Sequence, residues 1–195
     1  DAIGRKARVA HIHWGGGTPT ILAADDFRRL MADLRERFDV RTDAEVAVEA
    51  DPRTLDAGRV AALADSGVNR VSLGVQDLNP HVQEAINRVQ PFEQVADAVN
   101  KLRDAGIMAF NADLMYGLPY QTEADVRRTV DLIASLRPSR LAVFGYAHVP
   151  WMKTHQKMIP DAALPDGPAR LTQARVAADA LIAHGFRAIG LDHFA

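Results

Sequence analysis

The sequence predicts an α/β fold built around a parallel sheet. Short β-prone segments alternate with helical ones along the whole chain, at intervals of roughly 30 to 40 residues, which is the pattern of βα units. Such units can close as an open doubly wound sheet or as a barrel. A complete eightfold barrel needs about 250 residues, so a chain of 195 residues is long enough only for a partial (β/α) TIM-type barrel.

Six segments have the length and composition of buried parallel strands. Each is short, is apolar or mixed, and leads into a loop or turn signal. The predicted strands are Arg8–His13, Glu45–Glu49, Arg70–Gly74, Ala109–Leu114, Arg140–Tyr146 and Arg187–Leu191.

Apolar periodicity and end signals predict six helices between these strands. Gly67 and Gly106 provide C-terminal stops, and Thr122 followed by Asp125 is typical of an N-cap. The proline-rich region His148–Pro168 predicts a long loop. The predicted helices are Asp25–Phe38, Leu55–Ser66, Pro80–Arg88, Phe92–Ala105, Thr122–Leu136 and Pro168–His184.

The composition indicates one globular domain spanning residues 1–195. Hydrophobic residues make up 48% and charged residues 25% of the chain, and the net charge is -2, which is ordinary for a soluble protein. That charge gives no reason to expect nucleic acid as a partner. No apolar run approaches the roughly 20 residues that span a bilayer, and the first six residues contain no hydrophobic signal core. We therefore expect a cytoplasmic protein with no membrane or nucleic-acid partner.

The most informative stretch is His13-Trp14-Gly15-Gly16-Gly17-Thr18-Pro19, in which a strand runs into three glycines. Glycines carry no side chains and reach backbone angles closed to other residues. The main chain there can approach a ligand closely and offer its N–H and C=O groups. The pattern therefore predicts a binding loop for a small polar ligand, although a tight turn would also use glycine.

Polar side chains follow the predicted strands, at the edge where parallel α/β folds bind their ligands. A carboxylate that ends an apolar strand, such as Glu49 or Asp113, is costly without a partner, so we expect both to contact a ligand. His11 and His13 face the same way, and without a third ligand nearby packing or hydrogen bonding is favoured over a metal. The polar strand-end residues are Glu49, Asp51, Gln76, Asp77, Asp113, Tyr146, His148, Asp192 and His193.

Taken together, these motifs resemble in order and spacing those of the oxygen-independent coproporphyrinogen III oxidases (coproporphyrinogen dehydrogenases) of the radical S-adenosylmethionine superfamily. The resemblance covers nearly the whole chain. It is carried by His13-Trp14-Gly15-Gly16-Gly17-Thr18-Pro19, Glu49-Ala50-Asp51-Pro52, Gly74-Val75-Gln76-Asp77, Asn87-Arg88, Asp113-Leu114-Met115-Tyr116-Gly117-Leu118-Pro119, Tyr146-Ala147-His148 and Asp192-His193-Phe194-Ala195.

The resemblance implies S-adenosylmethionine and a 4Fe–4S cluster as cofactors. Reductive cleavage of S-adenosylmethionine would give a 5′-deoxyadenosyl radical that abstracts hydrogen from a propionate β-carbon of coproporphyrinogen III. Loss of carbon dioxide and one electron at two propionates would yield the vinyl groups of protoporphyrinogen IX, in heme biosynthesis. The implied partners are coproporphyrinogen III and an electron donor protein. No catalytic residue is assigned, because the cofactors carry the radical chemistry.

The resemblance also implies the binding residues. Gly16, Gly17 and Thr18 should hold the methionine amino group, and Glu49 should lie beside it as an acceptor. The remaining roles are ribose or amino contacts from Gln76 and Asp113, a paired hydrogen bond to the methionine carboxylate from Arg88, and main-chain contacts near the adenine from Ala147.

The chain departs from the family at the cluster. The family holds the cluster through a C-x3-C-x2-C run after its first strand, and this chain contains no cysteine. The chain is therefore expected to correspond to βα units 2 to 6 plus one following helix and strand, without the first strand and its cluster loop. Metal ligands are expected upstream, and this fragment alone is expected to be inactive.

Two other functions remain open. Heme chaperones of the same superfamily keep the fold, but they usually show Ser after the Gln of the third motif and lack the His-Trp before the glycines. Here Asp77 follows Gln76, and His13-Trp14 is present. A non-catalytic binding domain that has lost its cluster would show no cysteines upstream. An ordinary nucleotide-binding protein lacks support, because neither G-x-G-x-x-G nor G-x-x-x-x-G-K-S/T occurs.

Overall fold

A computed structural model describes residues 7–195 of the chain. The first six residues, for which the sequence predicts a place in the domain and no signal core, lie outside the described residues. Residues 7–195 form six strands and six α-helices, with one α-helix between successive strands except for the two helices between the third and fourth strands. The strands are β1 (Arg8–Trp14), β2 (Asp39–Ala50), β3 (Arg70–Gln76), β4 (Ala109–Tyr116), β5 (Arg140–Gly145) and β6 (His193–Phe194). The helices are α1 (Ala24–Arg37), α2 (Ala57–Asp65), α3 (Pro80–Ala85), α4 (Phe92–Asp104), α5 (Glu123–Ser135) and α6 (Gly167–Ala183).

The strands form one sheet in the order β1-β2-β3-β4-β5-β6. A doubly wound sheet reverses its strand order at a switch point, whereas a (β/α) barrel adds its strands in sequence order. The sequential order therefore confirms the α/β class and the strand arrangement of a partial TIM-type barrel. β1 pairs with β2, and β2 with β3, in parallel.

The last strand was predicted wrongly. The sequence favours a parallel strand over Arg187–Leu191, but β6 is His193–Phe194 and runs antiparallel to β5. Arg187 and Ala195 exchange two backbone hydrogen bonds of 2.7 and 2.9 Å, so the chain turns back on itself between them. The apolar run was misleading because Leu191 is fully exposed, and Gly190 interrupts the run where the chain turns.

The other differences and agreements between predicted and observed elements have local causes. β2 begins at Asp39, six residues before the predicted start, because its polar first half pairs with β1 and shows no apolar alternation. Thr122 and Asp125 form a reciprocal capping box at the start of α5, which confirms the predicted N-cap. The region predicted as a long loop contains two short 3-10 helices, Thr154–Met158 and Asp161–Ala163.

The described chain divides into two compact units. Unit 1 contains the residues up to Gly74 together with Ala96–Asn111, and unit 2 contains Val75–Val95 together with Ala112–Ala195. The assignment of residues 1–195 to a single domain stays a prediction. Large buried side chains fill each unit: Met31, Leu73, Leu102, Ile107 and Phe110 in unit 1, and Leu114, Leu118, Ile133, Leu141 and Leu181 in unit 2.

Burial alternates along the strands with the period of two expected for side chains that point to opposite faces. On β3, Val71, Leu73 and Val75 are buried while the residues between them are half-buried. β4 repeats this pattern. Gln76 and Asp113 each occupy a half-buried position of their strand, so polar side chains are tolerated there.

Candidate functional site

All eight predicted binding residues lie at or just after the carboxyl-terminal part of a strand, or in the loop after α3. In unit 1, Gly16, Gly17 and Thr18 directly follow β1, and Glu49 is the next-to-last residue of β2. In unit 2, Gln76 ends β3, Asp113 is in the second half of β4, Arg88 follows α3 and Ala147 follows β5. The placement at strand ends agrees with the sequence analysis, while the role of each residue stays a proposal.

The glycine loop of unit 1 has a backbone that other residues adopt only with strain. Gly16 has φ +82° and Gly17 has φ +99°, both in the left-handed region. A Cβ added to either residue would meet nothing within 4 Å. The open space beside exposed main chain is what a ligand approaching the backbone requires.

The Glu49 carboxylate is fixed against this loop. One carboxylate oxygen, Oε2, accepts a hydrogen bond of 3.2 Å from the backbone N–H of Gly16. The other, Oε1, lies 3.2 Å from Nε2 of His13, so His13 forms the hydrogen bond that the sequence favoured over metal binding. A Cβ on Gly15 would lie 2.8 Å from Glu49 Oε1. Gly15 therefore leaves room for the carboxylate, and the carboxylate faces the loop.

Gly17→Ala should destabilise the protein by about 1–2 kcal/mol, because an L-residue is strained in the left-handed region. The added methyl group would meet no atom within 4 Å, so the loss of stability should come from the strained backbone conformation alone. Gly58→Ala in α2 is the matched control, and there alanine should stabilise the helix by about 0.5 kcal/mol. Urea denaturation of both variants measures the two effects. An unchanged free energy of unfolding for Gly17→Ala would contradict the loop conformation.

Two site residues of unit 2 lie beside strained backbone. Gln76 has φ +68°, and the N–H of Asp77 donates to the carbonyl of Val75 at 2.9 Å. A bond between residues two apart around a positive φ is a γ turn of the rare, strained kind. Asn87, directly before Arg88, has φ +52°. Such strain persists only where the surrounding structure enforces it.

A buried polar network surrounds the γ turn. Asp77 is fully buried. Its Oδ1 accepts from the backbone N–H and the side-chain amide of Asn79, at 2.6 and 3.0 Å. Its Oδ2 accepts from Gln121 Nε2 at 2.8 Å and from Thr129 Oγ1 at 3.1 Å. The carboxylate is therefore surrounded by neutral donors. Burial raises the pKa of Asp77, and these hydrogen bonds oppose that shift only in part.

The raised pKa of Asp77 predicts a specific pH dependence of stability. A carboxyl group whose pKa is higher in the folded state stabilises the protein when protonated, and this contribution is lost as the pH rises through the folded-state pKa. Urea denaturation should therefore show wild type gaining stability relative to Asp77→Asn as the pH falls from neutral towards the ordinary aspartate value of 3.8. A relative loss over that range would contradict the burial effect.

Unit 2 also contains a cavity of about 650 Å³ that adjoins the predicted site residues Arg88 and Ala147 in sequence. Tyr146 lines it, and burial raises the pKa of the Tyr146 phenol. The Tyr146 hydroxyl is buried and has no hydrogen-bond partner among residues 7–195. The other lining residues are Glu84, Ala85, Ile86, Asn87, His155, Met158 and Ile159. The lining combines apolar surface with a few polar groups, as small-molecule cavities do.

The sequence analysis missed the buried network and the side chain that holds the loop after β5. Gln156 Nε2 donates to the Ala147 carbonyl at 3.0 Å, and Gln156 Oε1 accepts from Val149 N at 2.6 Å. Asp77 was included among the strand-end polar residues, but its carboxylate is internal. Gln83 and Gln90 could have indicated the buried network from the sequence, because they are two uncharged amide side chains close to Arg88.

Two absences hold for residues 7–195, the part of the chain that the structure describes. No helix in this range combines the length and apolar character needed to cross a bilayer. No group of three or more histidine, aspartate or glutamate side chains that could hold a metal ion occurs in the same range.

Comparison with known proteins adds to this geometry. A family model described as the radical SAM superfamily matches residues 1–133. The chain is 57% identical over 195 residues to the oxygen-independent coproporphyrinogen III oxidase of Bradyrhizobium diazoefficiens, and it covers 43% of that protein. The chain is 44% identical over 195 residues to the protein of the same name from Paracoccus denitrificans, and it covers 43% of that protein.

A solved structure matches as well. It is described as the coproporphyrinogen III oxidase of Escherichia coli, a radical SAM enzyme, and superposes with a TM-score of 0.92 at 42% identity. The match covers 96% of this chain and 43% of that chain. The chain therefore spans less than half the length of each of these three relatives.

Proposed function

Because this chain belongs to the radical S-adenosylmethionine superfamily, we propose that the protein of which it is part is an oxygen-independent coproporphyrinogen III oxidase. The proposed reaction converts two propionates of coproporphyrinogen III to vinyl groups, giving protoporphyrinogen IX. An electron donor protein is a proposed partner. Support comes from the names of relatives that match the whole chain at 57% and 44% identity.

The main structural support for the proposal is that the Glu49 carboxylate is held against the open glycine loop. S-adenosylmethionine ends in an ammonium and a carboxylate. The ammonium needs acceptors. Glu49 and the main-chain carbonyls of the exposed residues Gly16 and Gly17 can supply them, because no side chain occupies the space beside these glycines. Thr18, which is half-buried at the end of the loop, adds a hydroxyl. The residues present fit this ligand.

We assign the rest of the ligand to unit 2. Arg88 is proposed to bind the methionine carboxylate through paired N–H groups, while Gln76 and Asp113 are proposed to bind ribose hydroxyls or the amino group. Ala147 is exposed and is proposed to contact the adenine through its main chain. All these residues bind and orient the cofactor. When bound, the cofactors supply the radical that removes hydrogen from a propionate β-carbon.

The cluster does not fit the residues of this chain. Its usual ligands are cysteine thiolates, and none of the 195 residues is cysteine. We therefore propose that residues of the same protein outside this sequence hold the cluster. We assign no part of the cluster's chemistry to residues 1–195.

The substrate combines an apolar ring system with carboxylates. The cavity lined by Tyr146 supports binding of such a molecule, because its volume of about 650 Å³ lies within the range of roughly 300–1,000 Å³ typical of small-molecule sites. Burial raises the pKa of Tyr146 further above its ordinary value of 10.0, so the hydroxyl remains a donor that can bond to a carboxylate that reaches it.

The test is an anaerobic assay of the full-length protein after reconstitution with iron and sulfide. The assay contains S-adenosylmethionine, coproporphyrinogen III, a reductant for the cleavage of S-adenosylmethionine, and a one-electron acceptor for the electron released with carbon dioxide. We expect protoporphyrinogen IX together with 5′-deoxyadenosine. Omission of S-adenosylmethionine is the control and should abolish both products. A reconstituted protein that binds heme but yields neither product would indicate a heme chaperone. A protein that assembles no cluster and yields no product would indicate a binding domain.

A further inference from the structure

We infer that Asp77 is a positioning residue for the cofactor site, because its buried hydrogen bonds hold Gln76 in the strained γ turn. The inference rests on the proposed function, in which Gln76 binds S-adenosylmethionine. It goes beyond that function by assigning a role to a residue that cannot itself reach a ligand in this structure, since Asp77 is fully buried.

The first step is the conformation of Gln76. Successive side chains of a β-strand point to opposite faces of the sheet, so an extended backbone at Gln76 would fix the direction of its side chain. With φ +68° and the bond from Asp77 N to Val75 O, the chain instead reverses sharply at Gln76. The direction of the Gln76 side chain therefore depends on the γ turn, and glutamine has no intrinsic preference for this conformation.

The second step is what maintains the turn. The carboxylate of Asp77 is held by Asn79, Gln121 and Thr129. The backbone groups on both sides of Gln76 are held as well. The Val75 carbonyl also accepts a hydrogen bond from Gln90 Nε2, and the Asp77 carbonyl accepts one from Gln83 Nε2 at 2.8 Å. Fixed groups on both sides of one residue leave its backbone little freedom.

The third step links the turn to Arg88. Gln83 donates to the carbonyl of Gln90 at 2.7 Å, and its own backbone carbonyl accepts from Arg88 N at 2.8 Å. The amide that holds the Asp77 carbonyl therefore belongs to the same short segment as Arg88. Gln83 holds this segment through the main-chain carbonyls of Asp77 and Gln90, so the anchoring of the Arg88 segment does not depend on the Asp77 carboxylate.

Asp77→Asn is the informative substitution. Asparagine keeps Oδ1, which can still accept from Asn79. It replaces Oδ2 by an NH₂ group, which would face the donating amide of Gln121. Gln121 cannot simply rotate its amide, because its Oε1 accepts from Leu118 N at 3.1 Å and its Nε2 donates to Met115 O. The variant therefore disturbs the network on one side with almost no change in side-chain volume.

The experiment measures the affinity of the full-length, cluster-containing protein for S-adenosylmethionine by calorimetry. We expect Asp77→Asn to weaken binding by about 5- to 10-fold, the size of one coupled contact. In a Gln76→Ala background the same substitution should have little further effect, because it acts through Gln76. In steady-state assays the KM for S-adenosylmethionine should rise while the KM for coproporphyrinogen III stays unchanged.

Two further variants separate positioning from a general loss of stability. Asn69→Ala removes the bonds of Asn69 to Val46 N and Ala44 O in unit 1, so it should lower thermal stability and leave the affinity unchanged. Thr129→Val removes one donor to Asp77 Oδ2 and the acceptor of Leu78 N and Asn79 Nδ2. It leaves the Asp77 carboxylate and its bonds to Asn79 and Gln121 in place, so it should weaken binding less than Asp77→Asn. It also provides the test if Asp77→Asn does not fold.

The outcomes separate the inference from the proposed function. A wild-type protein that does not bind S-adenosylmethionine would overturn both. If Gln76→Ala weakens binding but Asp77→Asn and Thr129→Val do not, only the inference is overturned. It is also overturned if the effects of Asp77→Asn and Gln76→Ala simply add, since additivity would show that Asp77 does not act through Gln76.

Discussion

Replacing Arg88 by alanine is expected to weaken S-adenosylmethionine binding by about 10- to 100-fold, because hydrogen bonds between charged groups contribute about 1.5–3 kcal/mol. The loss should be specific to the side chain. The backbone N–H of Arg88, which donates to Gln83 O at 2.8 Å, is kept in the alanine variant, so the loop after α3 retains that anchor.

Arg88→Lys is the matched control for this prediction. Lysine keeps the positive charge but loses the planar pair of N–H donors, so its affinity should lie between those of wild type and Arg88→Ala. Calorimetry on the full-length protein measures all three. Equal affinities for wild type and Arg88→Ala would remove Arg88 from the site.

Replacing Glu49 by alanine should also weaken S-adenosylmethionine binding by about 10- to 100-fold, because it removes the carboxylate acceptor proposed for the ammonium group. It also removes the partner of Gly16 N and the neighbour of His13. The glycine loop should therefore become more mobile in the variant, which hydrogen exchange at Gly16 would report.

Glu45→Gln provides the control for Glu49, because it changes another glutamate on the same strand. Glu45 accepts a hydrogen bond from Arg70 at 2.6 Å and lies beside His11, away from the glycine loop. Its substitution should leave the affinity for S-adenosylmethionine unchanged. An equal loss in both variants would mean that the effect of Glu49 comes from the charge of the strand and not from the site.

Local patterns were sufficient to predict most of the fold. Except for the start of β2, the boundaries of the strands up to β5 were placed within two residues, because apolar runs alternate with helical periodicity. The capping box at Thr122 confirmed the start of α5. The last strand could not be predicted this way. An apolar run around Gly190 is compatible with a strand or a turn, and its pairing with β5 involves residues about 50 positions away in sequence.

The strand-end location of the candidate binding residues was predictable for a similar reason. Parallel strands place their carboxyl ends at one edge of a sheet, so Glu49 and Gln76 were identifiable from their positions. The backbone of Gln76 and the burial of Asp77 were not, because both depend on Gln121 and Thr129, more than 40 residues away. No local pattern reports such contacts.

An anaerobic crystal structure of the full-length protein with S-adenosylmethionine bound would locate the cofactor. Bound S-adenosylmethionine should contact Gly16, Gly17, Thr18, Glu49, Gln76, Arg88, Asp113 and Ala147, with its ammonium group within hydrogen-bond distance of Glu49. A structure in which S-adenosylmethionine is bound elsewhere, with Glu49 and Arg88 untouched, would contradict this assignment.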